Sequence, residues 1–230
     1  MACERALVLL SGGMDSTVCA AVAARDGYEV WTLSFDYGQR HRAELEAARA
    51  VADVYGIPPV RRRTLDLSRV FCGSALTGDA EVPLDRDTAE MAAGIPATYV
   101  PARNLVFLAL ATAVAEPLDA HHLFIGVNAL DYSGYPDCRP EFVTAFEAAA
   151  CLGTAAGVAI HTPLAHLTKA GIVQLGQAIG APLHLTLTCY RGTVPACGRC
   201  DACQLRRKGF AEAGLADPIP YAADGPPAER

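Results

Sequence analysis

Residues 6–24, ALVLLSGGMDSTVCAAVAA, decide how the chain is read. Five apolar residues run into Ser11, Gly12 and Gly13, then an acid, two hydroxyls and a second apolar run. The first run (6–10) has the length of a buried strand, and 16–27 reads as a helix stopped by Gly27. Two glycines at the corner permit backbone angles and close approach that a Cβ forbids. A helix that starts there aims free N–H groups and the positive end of its dipole at the turn, which suits a phosphate. Ser11, Ser16 and Thr17 add hydroxyl donors, and Asp15 is suited to hold a magnesium ion bridging phosphate oxygens. No lysine follows the glycines as in G-x-x-x-x-G-K-[ST], so this turn is not built like that of a γ-phosphate-transferring ATPase. A plain strand-to-helix turn capped by Asp and Ser carries the same residues, so the turn alone leaves both readings open.

Outward from the turn, strand and helix keep alternating. Strands are predicted at 29–38, 59–67, 122–127 and 157–164, and helices at 41–56, 104–118, 141–152 and 168–180, the last with Thr168 as N-cap. Residues 70–103 carry Pro, Gly and acids without clear periodicity and read as a long excursion. The alternation predicts an α/β fold: a Rossmann-like, doubly wound parallel sheet with helices on both faces, plus a small C-terminal cysteine-rich segment. The expected organisation is a nucleotide-binding domain over 1–185, that segment with a C-terminal helix over 186–216, and a flexible Pro- and Gly-rich tail over 217–230. In such sheets ligands gather at the carboxyl ends of the strands, where the Gly-Gly turn falls.

Composition narrows the function classes. Hydrophobic residues make up 52% of the 230 and charged ones 19%, so a packed core is expected and disorder is not. A formal net charge of −6 argues against broad electrostatic binding to nucleic acid. No apolar run approaches the ~20 residues of a membrane span. The N-terminus lacks a signal-peptide pattern, so no membrane partner and a cytoplasmic location are expected.

The nine cysteines are unevenly spread: Cys189-x7-Cys197-x2-Cys200-x2-Cys203 crowd the segment CYRGTVPACGRCDAC. In a reducing compartment such spacing points to a metal site more than to disulfides. Four thiolates suit one tetrahedral zinc and leave it no open position, hence a structural ion. An iron–sulfur site is the competing reading, but the usual downstream Cys-Pro is missing. A redox Cys-x-x-Cys pair would leave two cysteines surplus. Cys3, Cys19, Cys72, Cys138 and Cys151 read as ordinary small apolar residues.

SGGMDS after an apolar strand resembles the pyrophosphate-binding loop of the N-type ATP pyrophosphatases, which split ATP between its α and β phosphates. Within that superfamily, FDYGQRHRAEL (35–45), YVPARNLVFL (99–108), GVNALDYSGYPDCRPEFV (126–143), TPLAHLTKAGIVQLG (162–176) and CGRCDACQLRRKGFAEAG (197–214) together resemble the 7-cyano-7-deazaguanine synthases. The likeness runs from about residue 6 to about residue 214. It departs at HLTLTC, where serines are expected, and in the tail. It implies an ATP-dependent carbon–nitrogen ligase acting on 7-carboxy-7-deazaguanine, with magnesium accompanying ATP, ammonia as nitrogen donor and a homodimeric assembly. The chain shows no glutamine-hydrolysing domain, so free ammonia is the expected donor.

Roles follow by residue type. Leu10, Ser11, Gly12, Gly13, Met14, Asp15, Ser16, Thr17, Val18, Cys19 and Ala20 are expected to form the ATP-binding turn and helix start. Asp15 and Ser16 are read as catalytic there. Arg103 and Lys169 are cations suited to the phosphates and to charge developing at the transferred α-phosphate. In DYSGYPDC, Asp131 or Asp137 would accept from the guanine-like ring while Tyr132 or Tyr135 stacks on it; a loop held by Asx turns is the plainer alternative. Arg139 would pair with the substrate carboxylate or with Glu141. Arg40 and His41 belong to the same rim. Competing readings are a tRNA-modifying, sulfur-inserting pyrophosphatase using Cys138, a nucleotide sensor, and a relative that conjugates a macromolecule in place of ammonia.

Overall fold

The computed structural model describes residues 3–39, 43–78, 80–128 and 135–223. Its elements are β1 (Arg5–Leu9), α1 (Met14–Arg25), β2 (Glu29–Asp36), α2 (Ala43–Val54), β3 (Arg62–Asp66), α3 (Thr88–Ala92), α4 (Arg103–Ala115), β4 (His122–Phe124), α5 (Pro140–Gly153), β5 (Ala159–His161), α6 (Lys169–Ala178) and α7 (Asp201–Glu212). The five strands form one parallel sheet in the order β3-β2-β1-β4-β5. The chain therefore winds outward from β1 to β3 and then crosses to the other side of β1. The switch point lies between β1 and β4, where open α/β sheets leave a crevice.

Side-chain alternation in β1 shows why both faces must be covered. Ala6 and Val8 point to one face and join Val18 of α1, Val51 of α2, Ile172 of α6 and Phe210 of α7. Leu7 and Leu9 point to the other and join Leu108 and Ala111 of α4, Val143 of α5 and the four clustered cysteines. A strand buried on both faces reads as a continuous apolar run, as β1 does. The doubly wound sheet expected from the alternation is the fold observed. Among the described residues no helix is long and apolar enough to cross a membrane.

Two stretches carry more order than their composition implied. The 70–103 excursion holds α3, closed by a capping box between Asp87 and Glu90. It also docks on the cysteine segment: Leu84 bridges Cys200, Asp85 pairs with Arg199, and Arg86 pairs with Asp201. Residues 217–223, read from composition as the start of a flexible tail, are anchored. The Asp217 carboxylate accepts from the Arg206 guanidinium at 2.9 and 3.0 Å and from the Tyr221 hydroxyl at 2.5 Å. Arg206 is only 1% exposed and also donates to Thr186 Oγ1 and the Leu183 carbonyl. A guanidinium so buried needs a carboxylate opposite it, and that requirement ties Asp217 and Tyr221 to α7.

Candidate active site

A cavity of about 280 Å³ opens at the carboxyl ends of β1 and β4, at the switch point. The 11–13 turn forms one wall. Ser11 N donates to Ser16 Oγ at 3.2 Å, and that hydroxyl donates to the Gly13 carbonyl at 3.0 Å. Gly13 is the N-cap of α1 and offers no side chain to its first turn. The N–H groups of Met14, Asp15 and Ser16 precede the first helical bond, Thr17 N to Gly13 O. The turn thus presents hydroxyls, free donors and a helix dipole to one point, as an anion site requires. Gly12 has φ +84°, and a Cβ there would lie 2.2 Å from the Glu44 carbonyl and 2.7 Å from the Ala48 nitrogen of α2. Its own carbonyl accepts from Leu187 N at 3.0 Å, so α2 and the 183–189 segment clamp the turn from two sides.

Cations surround this wall. Lys169, the first residue of α6, places Nζ 3.0 and 3.2 Å from the two Asp15 carboxylate oxygens. Thr168 holds that helix start, its hydroxyl accepting from Gly171 N. Arg103 opens α4 behind Ala102, which sits at φ +56° and donates its N–H to the Tyr99 hydroxyl. The Arg103 guanidinium lies 5.7 Å from the Tyr37 ring centroid. Burial opposes its charge, but Tyr37, Tyr135, Tyr190 and Cys138 together outweigh burial and raise its pKa. Glu44, on the first turn of α2, also lines the cavity. Burial pushes its carboxyl up to about 7, with Arg103 pulling it down and Cys189 adding to the rise. Burial likewise raises Tyr37 to about 12.

Of the residues read as ATP-binding, Ser11, Gly13, Met14, Asp15 and Ser16 line the cavity. Leu10 and Gly12 shape the turn from behind, while Thr17, Val18, Cys19 and Ala20 are buried in α1 against the sheet. Arg103, Lys169 and Tyr135 line the cavity as well. Asp137 does not: it is 6% exposed, and its carboxylate accepts from Asn104 N at 2.8 Å, capping the start of α4. Arg139 is exposed at the N-cap of α5, away from the cavity lining. Arg40, His41, Asp131 and Tyr132 lie outside the described residues. Cys138 lines the cavity with Asn104, whose Nδ2 donates to its Sγ at 3.3 Å. Sequence reading passed over Glu44, Asn104 and Tyr190. Asn104 follows Arg103 directly, and Glu44 follows the FDYGQRH rim, so proximity to named residues was the available signal.

Beside the cavity, the sulfurs of Cys189, Cys197, Cys200 and Cys203 all lie within 4.8 Å of one another, and all four residues are buried. Packed this closely, they drive each other's titration apart. The Cys200 and Cys203 thiols hydrogen-bond Cys189 and hold it well below the ordinary thiol range, and the same contacts push Cys200 and Cys203 above it. A divalent cation at the centre lets all four ionise together. Backbone N–H groups of Cys197, Cys200 and Arg199 point at Cys189 and Cys197 sulfurs at 3.4–3.5 Å, the outer-sphere support a thiolate site needs. The cluster can hold a metal ion, and no sulfur-bound position is left open for water.

The chain matches the family model for queuosine biosynthesis protein QueC over residues 5–214. It is 57% identical over 226 residues to the 7-cyano-7-deazaguanine synthase of Solidesulfovibrio magneticus, covering 95% of this chain and 96% of the relative. With the enzyme of the same name from Anaeromyxobacter sp. (strain Fw109-5) it shares 58% over 227 residues, covering 95% and 96%. Among solved structures it is similar to an NMN synthetase from Francisella tularensis, at a TM-score of 0.52 and 16% identity over 93% of this chain and 79% of that one. A 4-thiouridine synthetase solved with RNA and ATP gives 0.51 and 17% over 90% and 53%. At these identities the structural likenesses speak for the fold alone.

Proposed function

The chain belongs to the QueC family of queuosine biosynthesis proteins, and from that premise we propose that it makes 7-cyano-7-deazaguanine from 7-carboxy-7-deazaguanine, ammonia and ATP. The observation that carries this reading is the near full-length identity to relatives of that name, joined to a cavity whose wall is an anion-binding turn.

A carboxylate cannot be displaced by ammonia, because oxide is a poor leaving group. Transfer of AMP from ATP makes an acyl adenylate that ammonia opens to the amide. A second adenylation, on the amide oxygen, allows loss of AMP to give the nitrile. The 11–16 turn is suited to the phosphates through its N–H groups and hydroxyls, and Lys169 and Arg103 to the charge that grows at the α-phosphate. Tyr135, which also lines the cavity, would offer a flat face to the deazaguanine ring. Asp15, paired with Lys169 until ATP enters, would hold magnesium, which would neutralise charge on the departing pyrophosphate. Cys189, Cys197, Cys200 and Cys203 would hold zinc, which would staple residues 189–203 to one another beside the cavity. We further propose a cytoplasmic enzyme that is a homodimer, the dimer resting on family resemblance alone.

The test is chromatography of the products formed from ATP, magnesium, ammonia and the carboxy-deazaguanine. The nitrile, AMP and pyrophosphate are expected, with AMP formed only when the acid is present. ADP and phosphate as primary products would exclude the α-phosphate route.

A further inference from the structure

Both nitrogen steps release protons, and the reaction needs a group to accept them. When the ammonia lone pair attacks the acyl adenylate, the C–O bond to AMP breaks and the nitrogen must lose one proton to become the amide. When the amide oxygen attacks the α-phosphorus of the second ATP, pyrophosphate leaves. The resulting imidate then loses two N–H protons as its C–O bond breaks, giving the nitrile and AMP.

Among the described residues lining the cavity, few can take a proton. Arg103, Lys169 and Arg206 are cations, Cys189 belongs to the four-sulfur cluster, and the Cys138 sulfur accepts from Asn104 Nδ2. The carboxylates are Asp15 and Glu44, and Lys169 already binds both oxygens of Asp15. No hydrogen bond or ion pair to a described residue occupies the Glu44 carboxylate. Its backbone carbonyl abuts Gly12, so Glu44 travels with the phosphate-binding turn.

We propose that Glu44 is the catalytic base that takes the N–H protons in amide formation and in nitrile formation. The inference rests on the nitrile-synthase reading above. Arg103 from α4, Tyr37 from the end of β2 and Cys189 from the cysteine segment are the charged and titratable groups acting on it. As a cavity-lining carboxylate that moves with the phosphate-binding turn, Glu44 can take a proton and release it to water between steps.

Two assays separate this role from the reading beneath it. Exchange of labelled pyrophosphate into ATP, driven by the carboxy-deazaguanine without ammonia, reports adenylation; nitrile formation with ammonia reports the nitrogen steps. For Glu44→Gln, nitrile formation is expected to fall about 10²-fold or more while exchange falls less than about tenfold, the range a general base supplies. Glu44→Asp, which keeps the acceptor, should recover part of the loss. Unchanged metal content and melting temperature verify that the variants fold. Nitrile formation by Glu44→Gln within about threefold of wild type, or exchange lost in equal measure, overturns the proposal. Absence of acid-dependent exchange in the wild type would instead overturn the reading on which it rests.

Discussion

Alanine at Gly12 is expected to reduce nitrile formation by at least about 10²-fold and to destabilise the protein, because two independent penalties meet at that residue. The backbone there has φ +84°, a region that costs an L-residue roughly 1–2 kcal/mol. The added Cβ would also stand 2.2 Å from the Glu44 carbonyl, a backbone atom with no freedom to swing away. Relieving such an overlap typically costs about 1–3 kcal/mol, so the melting temperature should drop by roughly 4–20 °C. Whichever side yields, the donors aimed at the phosphates move, or Glu44 does. Gly27 serves as the control: it has φ +87°, but nothing lies within 4 Å of its would-be Cβ. Gly27→Ala should show the backbone penalty alone and keep its turnover. A stable, fully active Gly12→Ala would show that the turn does not touch the nucleotide.

Serine at Cys200 should remove the metal and lower the melting temperature together. Cys200 is the N-cap of α7, bridges Leu84 of the excursion and is fully buried. The ion's binding energy is folding energy for this segment, and losing about 3–5 kcal/mol of it lowers the melting point by roughly 6–20 °C. Activity should fall indirectly. The segment before Cys189 carries Leu187, whose N–H holds the Gly12 carbonyl, and the loosened segment releases the nucleotide turn. Metal analysis and a melting curve on wild type and variant decide it. Stoichiometric metal loss at an unchanged melting point would contradict a structural site, and iron with acid-labile sulfide would contradict zinc.

The strand, turn and helix around Gly12 were legible because local rules govern them: an apolar run, two glycines and a helix of small residues leave few ways to continue. The helix starts were legible for the same reason, as Thr168 shows. Asp137 stayed open between two readings because a carboxylate that caps a helix and one that grips a ligand look alike in sequence. Only the fold brings Asp137 to the nitrogen of Asn104. Glu44 read as one more acid on an amphipathic helix, since its neighbours come from α4 and the cysteine segment, far off in the chain. Residues 217–223 read as frayed because Pro and Gly are frequent nearby, and no local pattern announces a buried Arg206–Asp217 pair. The 70–103 excursion was illegible for a related reason: its order comes from pairing with Arg199 and Asp201, not from its own periodicity.

In the proposed reaction one cavity adenylates first the carboxylate and then the amide of the same carbon. Carboxy-deazaguanine labelled with ¹⁸O in both carboxylate oxygens tests this directly, with mass spectrometry of every product. Each label is expected to leave on the phosphate of an AMP molecule, with two AMP formed per nitrile and no label in pyrophosphate. Label recovered in water or inorganic phosphate, or a single AMP per nitrile, would contradict it.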